Sequence, residues 1–279
     1  MKIAILTDSA SNVTENKDKG IFTVPLYVNF GKYSKKDLVE ISPQELFDKL
    51  ETESPTTAAP SIDDFIQKIR EIKSLGYDAI LGVALSSELS ATLNAMKLAF
   101  DEEIIEHRIV DSKGVSYSEG FLVIHARKLV EKGHDLEYIY QEIERLKSGA
   151  KLYGMVSDLK YLVRGGRLKP LKGFIGSMLK INPILSTTEK GLIEPYASVR
   201  GKAKAVKKLK EILENDLKDC KEFYISILYS KDEELRDELR TELEELIQKA
   251  AEYAEITITA VLVAHAGPSL QAVAYLKVR

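Results

Sequence analysis

The chain opens on an unbroken apolar run, IAIL, that passes directly into the polar turn Asp8-Ser9-Ala10-Ser11-Asn12. A short apolar run ending in a hydroxyl-rich loop is the pattern of a buried strand whose carboxyl end lies at the functional edge of an open α/β sheet. A second β-rich run spans Ile21 to Phe30, and Ser42-Pro43 with Glu45 predicts an N-cap and a short helix from Gln44 to Leu50. TESPTTAAP, from Thr52 to Pro60, reads as a loop. Ser61-Ile62-Asp63-Asp64 has capping-box spacing, with Asp in place of the usual Glu, and Phe65, Ile66, Ile69 and Ile72 then recur at helical intervals up to Gly76. DAILGVAL (Asp78 to Leu85) is a buried strand by its continuous apolar character, and Ser86-Ser87-Glu88-Leu89-Ser90 turns it into a helix through Phe100. A strand from His107 to Val110, then helices from Ser118 to Glu131 and Asp135 to Lys147, complete a strand-helix alternation that predicts a parallel, doubly wound sheet.

After Gly149 the order changes. Strand LYGMV, a basic segment, and strands from Ile184 to Ser186 and Leu192 to Val199 about a Glu189-Lys190-Gly191 turn are followed by a helix from Lys202 to Asn215. Strand FYISILY, a second long helix through Glu252, and closing strands from Ile256 to Val263 and Gln271 to Val278 finish the chain. In that second helix Leu235, Leu239, Leu243, Leu246 and Ile247 form a core-facing stripe beneath a solvated charged face. The expected fold class is therefore α/β with two domains: an N-terminal α/β/α domain with a parallel sheet (1–150) and a C-terminal α+β domain with a mixed sheet (151–279).

Composition narrows the functional classes. The 279 residues carry 40 basic and 43 acidic side chains, a net charge of -3, so bulk electrostatic binding to nucleic acid is not expected. Cys220 is the only cysteine, which excludes an intramolecular disulfide and fits a reducing cytoplasm. IAIL is too short for a signal-peptide core, and no segment approaches the roughly 20 apolar residues that span a bilayer; a soluble, cytoplasmic monomer is expected. No phosphate loop, dinucleotide fingerprint, H-E-x-x-H or G-x-S-x-G is present, and His107, His125, His134 and His265 lack ligand-like spacing, so neither a metal nor a cofactor is expected.

One stretch stands out chemically. From Asp158 to Leu185 it carries Lys160, Arg164, Arg167, Lys169, Lys172 and Lys180, with no acid between Leu159 and Thr188. Gly165-Gly166 permits a tight turn that aims Arg167 inward, while Leu162, Leu168, Leu171, Phe174, Ile175 and Met178 supply an apolar surround. That combination suits a ligand with an anionic head and an apolar body, though a surface helix with solvated lysines has the same composition. The hydroxyl-rich loops Asp8-Ser9, Thr56-Thr57, Ser86 to Ser90, and Asp111-Ser112 with Ser116 and Ser118 gather where strands of an open sheet end; each alone also reads as capping or turn chemistry. Ser90, opening a helix, joins its hydroxyl to free backbone N–H groups, a cradle for a carboxylate or phosphate. His265, in AHAGPS after the apolar strand ITITAVLV, is placed to donate to an anion or act as a base.

These residues occur in motifs that resemble the DegV family of bacterial fatty-acid-binding proteins over essentially the whole chain. The motifs are T-D-S (Thr7 to Ser9), P-T-T-x-x-P-S (Pro55 to Ser61), L-S-S-x-L-S-x-T (Leu85 to Thr92), D-S-K (Asp111 to Lys113), R-G-G-R with K-G-x-I-G (Arg164 to Gly176), K-x-x-P-I-L (Lys180 to Leu185) and A-H-x-G-P (Ala264 to Pro268). The resemblance implies two α/β domains enclosing one long-chain, palmitate-like fatty acid between them. By motif position the carboxylate contacts would be Thr57, Ser90, Arg167 and His265, with Ser9, Ser87, Arg164 and Gly166 as possible supports. It also implies a non-catalytic carrier that presents the acyl carboxylate to a separate fatty acid kinase subunit, in phospholipid metabolism. The basic run from Lys160 to Lys180 could dock on that kinase or make transient contact with an anionic membrane. This chain departs from the family pattern at Ala58-Ala59, Ala91, Ser269 and Gln271.

Two other readings stay open from the residues. A serine-dependent acyl hydrolase or transferase would use Ser90 or Ser87 as nucleophile, His265 as base and Asp8 or Asp111 to orient it, since such groups assemble from distant loops. A nucleotide-binding regulatory domain rests on α/β alternation alone.

Overall fold

The computed structural model describes residues 1–168 and 182–279. In chain order its elements are β1 (Ile3–Asp8), β2 (Ile21–Val24), β3 (Tyr27–Phe30), β4 (Tyr33–Lys36), α1 (Pro43–Leu50), β5 (Thr56–Ala58), α2 (Ile62–Ser74), β6 (Ala79–Ala84), α3 (Thr92–Asp101), β7 (Glu106–Asp111), α4 (Tyr117–Glu131), α5 (Leu136–Leu146), β8 (Ala150–Met155) and α6 (Lys160–Arg164). Then follow β9 (Asn182–Thr187), β10 (Ile193–Val199), α7 (Lys202–Leu217), β11 (Phe223–Tyr229), α8 (Glu233–Glu242), α9 (Glu244–Lys249), β12 (Glu252–Thr257), α10 (Ala260–Ala266) and β13 (Gln271–Lys277).

The first sheet is parallel throughout, in the order β2-β1-β6-β7. Strand alternation divides its apolar residues between two faces. Ala4 and Leu6 pack with Phe65 and Ile69 of α2 and Met96 of α3, while Ile3 and Ile5 join Leu122 of α4 and Ile139 of α5. Both flanking helix pairs were expected, and the Ser42–Glu45 and Ser61–Asp64 capping boxes both form. The second sheet, β10-β9-β8-β13-β11-β12, is mixed, with β11 and β12 parallel and the remaining pairs antiparallel. Its Phe223, Ile225, Ile227 and Tyr275 face α7, α8 and α9, and its Tyr224, Leu228, Ala272 and Ala274 face the core shared with α4.

Helix α4 touches β1 and β6 of the first sheet and β8, β11 and β13 of the second. It is accordingly buried almost all round, Ser118, Glu119 and His125 included, where a surface helix would hide one stripe. Phe121 sits at the middle of this contact, edge-on to Tyr117 and Tyr224 with centroids 5.0 and 5.7 Å away.

Four expectations are corrected. TESPTTAAP is not all loop, because Thr56–Ala58 pairs with β3, which also pairs with β4, in a small antiparallel sheet. The helix expected to run through Glu252 breaks at Leu243 and ends at Lys249, and Glu252 begins a strand. The helix after β6 begins at Thr92 with Ala91 as N-cap, so Ser90 precedes it. Most consequentially, the strand expected from Ile256 to Val263 ends at Thr257, and Ala260–Ala266 is helical. The β-branched run ITITAVLV favours a strand locally. In the fold the segment packs as a helix against α1, α6 and β3, and Asp37 Oδ1 accepts from Val261 N at 3.3 Å across 224 residues, while Thr259 makes no side-chain cap. The expectations for Lys169, Leu171, Lys172, Phe174, Ile175, Met178 and Lys180 lie outside the described residues.

Phe121→Ala removes the aromatic at the joint of the two sheets, where it is 1% exposed. Urea unfolding should show a loss of about 3–5 kcal/mol; a loss below about 1 kcal/mol would mean that α4 does not bind the sheets together as described.

Candidate functional site

A cavity lies between the carboxyl edge of the parallel sheet and the second sheet, with α10 along it. Leu26 and Leu85 contribute from the first half, Ile193 and Leu270 from the second, and Val261 and Leu262 from α10. It holds about 870 Å³ of unfilled space, its open mouth included. The lining is almost wholly apolar, and Thr57, Ser90, Arg167 and His265 all line it, with Ser116 as a further hydroxyl.

Each polar side chain is brought there by a different element. The β3–β5 pairing presents Thr57, and the last turn of α10 presents His265, so that Thr57 Oγ1 and His265 Nε2 lie 2.7 Å apart across 208 residues. Arg167 follows the α6 turn. Its Nε donates to Leu89 O at 3.0 Å and its Nη1 to Gly165 O at 2.6 Å, while Nη2 takes part in neither bond. Ser90 Oγ accepts from Thr92 N at 3.3 Å and lies 2.9 Å from Thr92 Oγ1, at the start of α3.

The supporting set divides. Ser9 is buried away from the cavity, where its Oγ accepts from Leu26 N at 3.0 Å, a structural role. Ser87 Oγ donates to Asp111 Oδ2 at 2.6 Å and accepts from Lys113 Nζ at 3.1 Å, outside the lining. Arg164 is exposed, lies over the Tyr161 ring and donates to Ser54 Oγ at 2.8 Å. Gly166 takes φ 71°, the left-handed turn that points the chain back toward Arg167.

Gly165 has a separate role that turn logic did not reveal. It is in ordinary right-handed conformation, yet a Cβ there would stand 2.2 Å from His265 Nδ1. The first glycine of R-G-G-R is thus required by close approach to the imidazole. Asp37 was likewise missed, because nothing local marks a residue that caps a helix so far along the chain. The apolar lining residues of β9, β10 and α10 belong to runs that the sequence shows only as core.

The electrostatics of the polar end are unbalanced. Arg167 forms no ion pair among the described residues, and burial lowers its pKa somewhat from the usual arginine value. Burial first, then the positive charges of Arg167 and Arg164, pushes His265 down to about 4. The imidazole is therefore neutral at physiological pH, and its buried Nδ1 has no partner among the described residues. Among the described residues no hydrolase relay is assembled: His265 bonds Thr57 where it should bond a serine, no carboxylate orients its Nδ1, Asp111 holds Ser87, and Asp8 accepts from backbone N–H groups. Among the described residues no group of His, Cys, Asp and Glu could hold a metal ion, and no helix is long and apolar enough to cross a membrane.

A two-sheet α/β scaffold around an apolar cavity with one cationic, hydroxyl-bearing end has the chemistry to hold an amphipathic small molecule. The chain belongs to the DegV family, whose model, described as "Uncharacterised protein, DegV family", matches residues 2–278. A DegV domain-containing protein of Clostridium acetobutylicum is 34% identical over 221 residues, covering 78% of this chain and 79% of that protein. Among solved structures, a Thermus thermophilus protein described as a fatty-acid-binding DegV family member superposes with a TM-score of 0.92 at 31% identity, covering 99% of this chain and all (100%) of that one. Bacillus subtilis DegV, described as a fatty acid binding protein, gives a TM-score of 0.88 at 28% identity, covering 99% of each chain.

The neutral histidine has a testable signature. His265 titrates near 6.5 in an unfolded chain and at about 4 in the fold. The stability from keeping it neutral is complete above about pH 6.5 and drains away as pH falls toward 4. An NMR titration should place His265 below about pH 5, with Arg167→Ala or Gly165→Ala moving the midpoint upward as a positive charge is removed or the ring displaced. A wild-type midpoint above 6 would contradict the buried ring.

Proposed function

We propose that this protein binds one long-chain fatty acid, its tail in the cavity and its carboxylate held by Thr57, Ser90, Arg167 and His265. The observation that carries the reading is Arg167, a cation with no acidic partner among the described residues, set beside the Thr57–His265 pair at one end of an otherwise apolar cavity. A carboxylate taken out of water costs several kcal/mol unless paired and hydrogen-bonded. The guanidinium, two hydroxyls and a neutral imidazole supply that pairing, and the fatty-acid binding described for the Thermus thermophilus and Bacillus subtilis relatives supports it. Burying a C16 tail contributes about 10 kcal/mol gross at roughly 0.8 kcal/mol per methylene, before the costs of association and chain ordering. We take 1–150 and 151–279 as the two domains that enclose it.

The same reading makes the protein a carrier in the cytoplasm. The chain lacks a phosphate loop and a metal-binding signature, so phosphoryl transfer to the acyl carboxylate falls to a separate fatty acid kinase, with the basic residues near Lys160 and Arg164 offering a docking surface for it or for an anionic membrane.

Native mass spectrometry of the purified protein should show one adduct that extracts as a fatty acid. Arg167→Ala should weaken fatty-acid binding by about 100-fold, in the range for removing one partner of a buried charge pair, and the Ser90→Ala/Arg167→Ala double variant should purify empty. Unchanged lipid content in a folded double variant sinks the carboxylate site. In the carrier reading, labelled phosphate from ATP reaches the bound acid only when a fatty acid kinase is added; transfer by this protein alone would overturn it.

A further inference from the structure

We propose that Asp8 and Glu119, behind the cavity wall, share one proton and act as a positioning pair, so that loss of this proton loosens the wall and releases the ligand. The ligand half of this inference rests on the fatty-acid reading above. Both side chains are fully buried. Asp8 Oδ1 accepts from Ala10 N and Oδ2 from Leu85 N, each at 3.0 Å, and both of those residues line the cavity. Asp8 thereby ties the end of β1 to the end of β6, from which the loop carrying Leu89 and Ser90 departs.

Glu119 reaches the same point from the first turn of α4, just after the lining residues Val115 and Ser116. Its Oε1 accepts from Thr7 Oγ1 at 3.1 Å. Its Oε2 is buried with no hydrogen-bond partner among the described residues, and the Asp8 carboxyl is close enough to act on it electrostatically. A buried anionic oxygen without a donor is costly, and two carboxylates in contact do not both ionise. A proton on Glu119 Oε2, donated to Asp8, resolves both problems with no further group. Asp8 then keeps its charge for the two backbone N–H groups, and Glu119 serves as donor.

The surrounding charges reinforce this state. Asp37 faces Asp8 from the turn after β4, and Asp111 faces Glu119 from the end of β7; both are acids that disfavour a second negative charge. Lys113 is committed to Asp111 at 2.7 Å. Burial first, then mutual repulsion, raises Glu119 well above the ordinary range, and burial raises Asp8 to about 7. For acids raised on folding, the associated stability is present at low pH and is lost as pH rises through the folded values. Asp8 ionises first, and the pair gives up its shared proton as pH rises through the raised value of Glu119, leaving two negative charges across the joint of β1 and α4.

The test uses Glu119→Gln, whose amide can donate to Asp8 and cannot lose that donor with pH. Infrared spectra of the ligand-free protein should contain a buried protonated-carboxyl band that persists above pH 7, where Asp8 and Asp37 have ionised, fades at still higher pH and is missing there from Glu119→Gln. No such band, or one that survives the substitution, overturns the pair. Titration with cis-parinaric acid should weaken by about tenfold or more between pH 6 and 9 in the wild type relative to Glu119→Gln, the factor expected when the bound protein holds the shared proton tenfold more tightly than the empty one; equal pH dependence overturns the link to binding. If neither protein binds the probe at any pH, the fatty-acid reading fails by itself, and the infrared band with the pH dependence of urea unfolding still decides the pair. Should Glu119→Gln not fold, the wild-type band and its alkaline loss decide it.

Discussion

Two sheets share one helix here, and most of the structure follows from that constraint. Because α4 is covered by the parallel sheet on one side and the mixed sheet on the other, neither sheet completes its core without the other's face of the helix. Packing of this density transmits displacement where a looser interior would absorb it. The space left where the two sheets diverge, at the carboxyl edge of the parallel strands, is the cavity. Its walls are side chains that would otherwise have met across that gap, which explains why its lining is so uniformly apolar.

Against such a wall a charge must be justified by what it binds. Arg167 is held by carbonyl oxygens of Leu89 and Gly165, which orient a guanidinium without cancelling its charge. Its positive field, together with burial, keeps the neighbouring imidazole neutral. The result is a polar end with one fixed charge and several neutral hydrogen-bonding groups, an arrangement suited to a single negative charge.

Much of the fold was legible because its signals are local. The apolar runs at β1 and β6, the capping boxes of α1 and α2, and the Leu235 to Ile247 stripe each depend on residues within a few positions of one another. The polar lining residues were legible by type, as hydroxyls, an arginine and a histidine, although Thr57 lies in a strand and His265 in a helix where loops were expected. What was hidden depends on partners far along the chain. Thr56–Ala58 becomes a strand only because β3 is beside it, α10 is packed on α1 and α6 and capped by Asp37, and Gly165 must be glycine because His265 lies against it. No window of sequence contains both members of these pairs.

The dependence of α10 on Asp37 orders events during synthesis. The cap and the helix it serves are 224 residues apart, so the ribosome releases all the intervening chain before the two can meet. Domains fold as they emerge, and long-range closure comes late. Until then the segment from Ile256 to Val263 has only its local preference, which is for a strand. The histidine of the polar end can therefore be placed only after α10 has been made, and a chain that stops short of α10 lacks that end of the pocket.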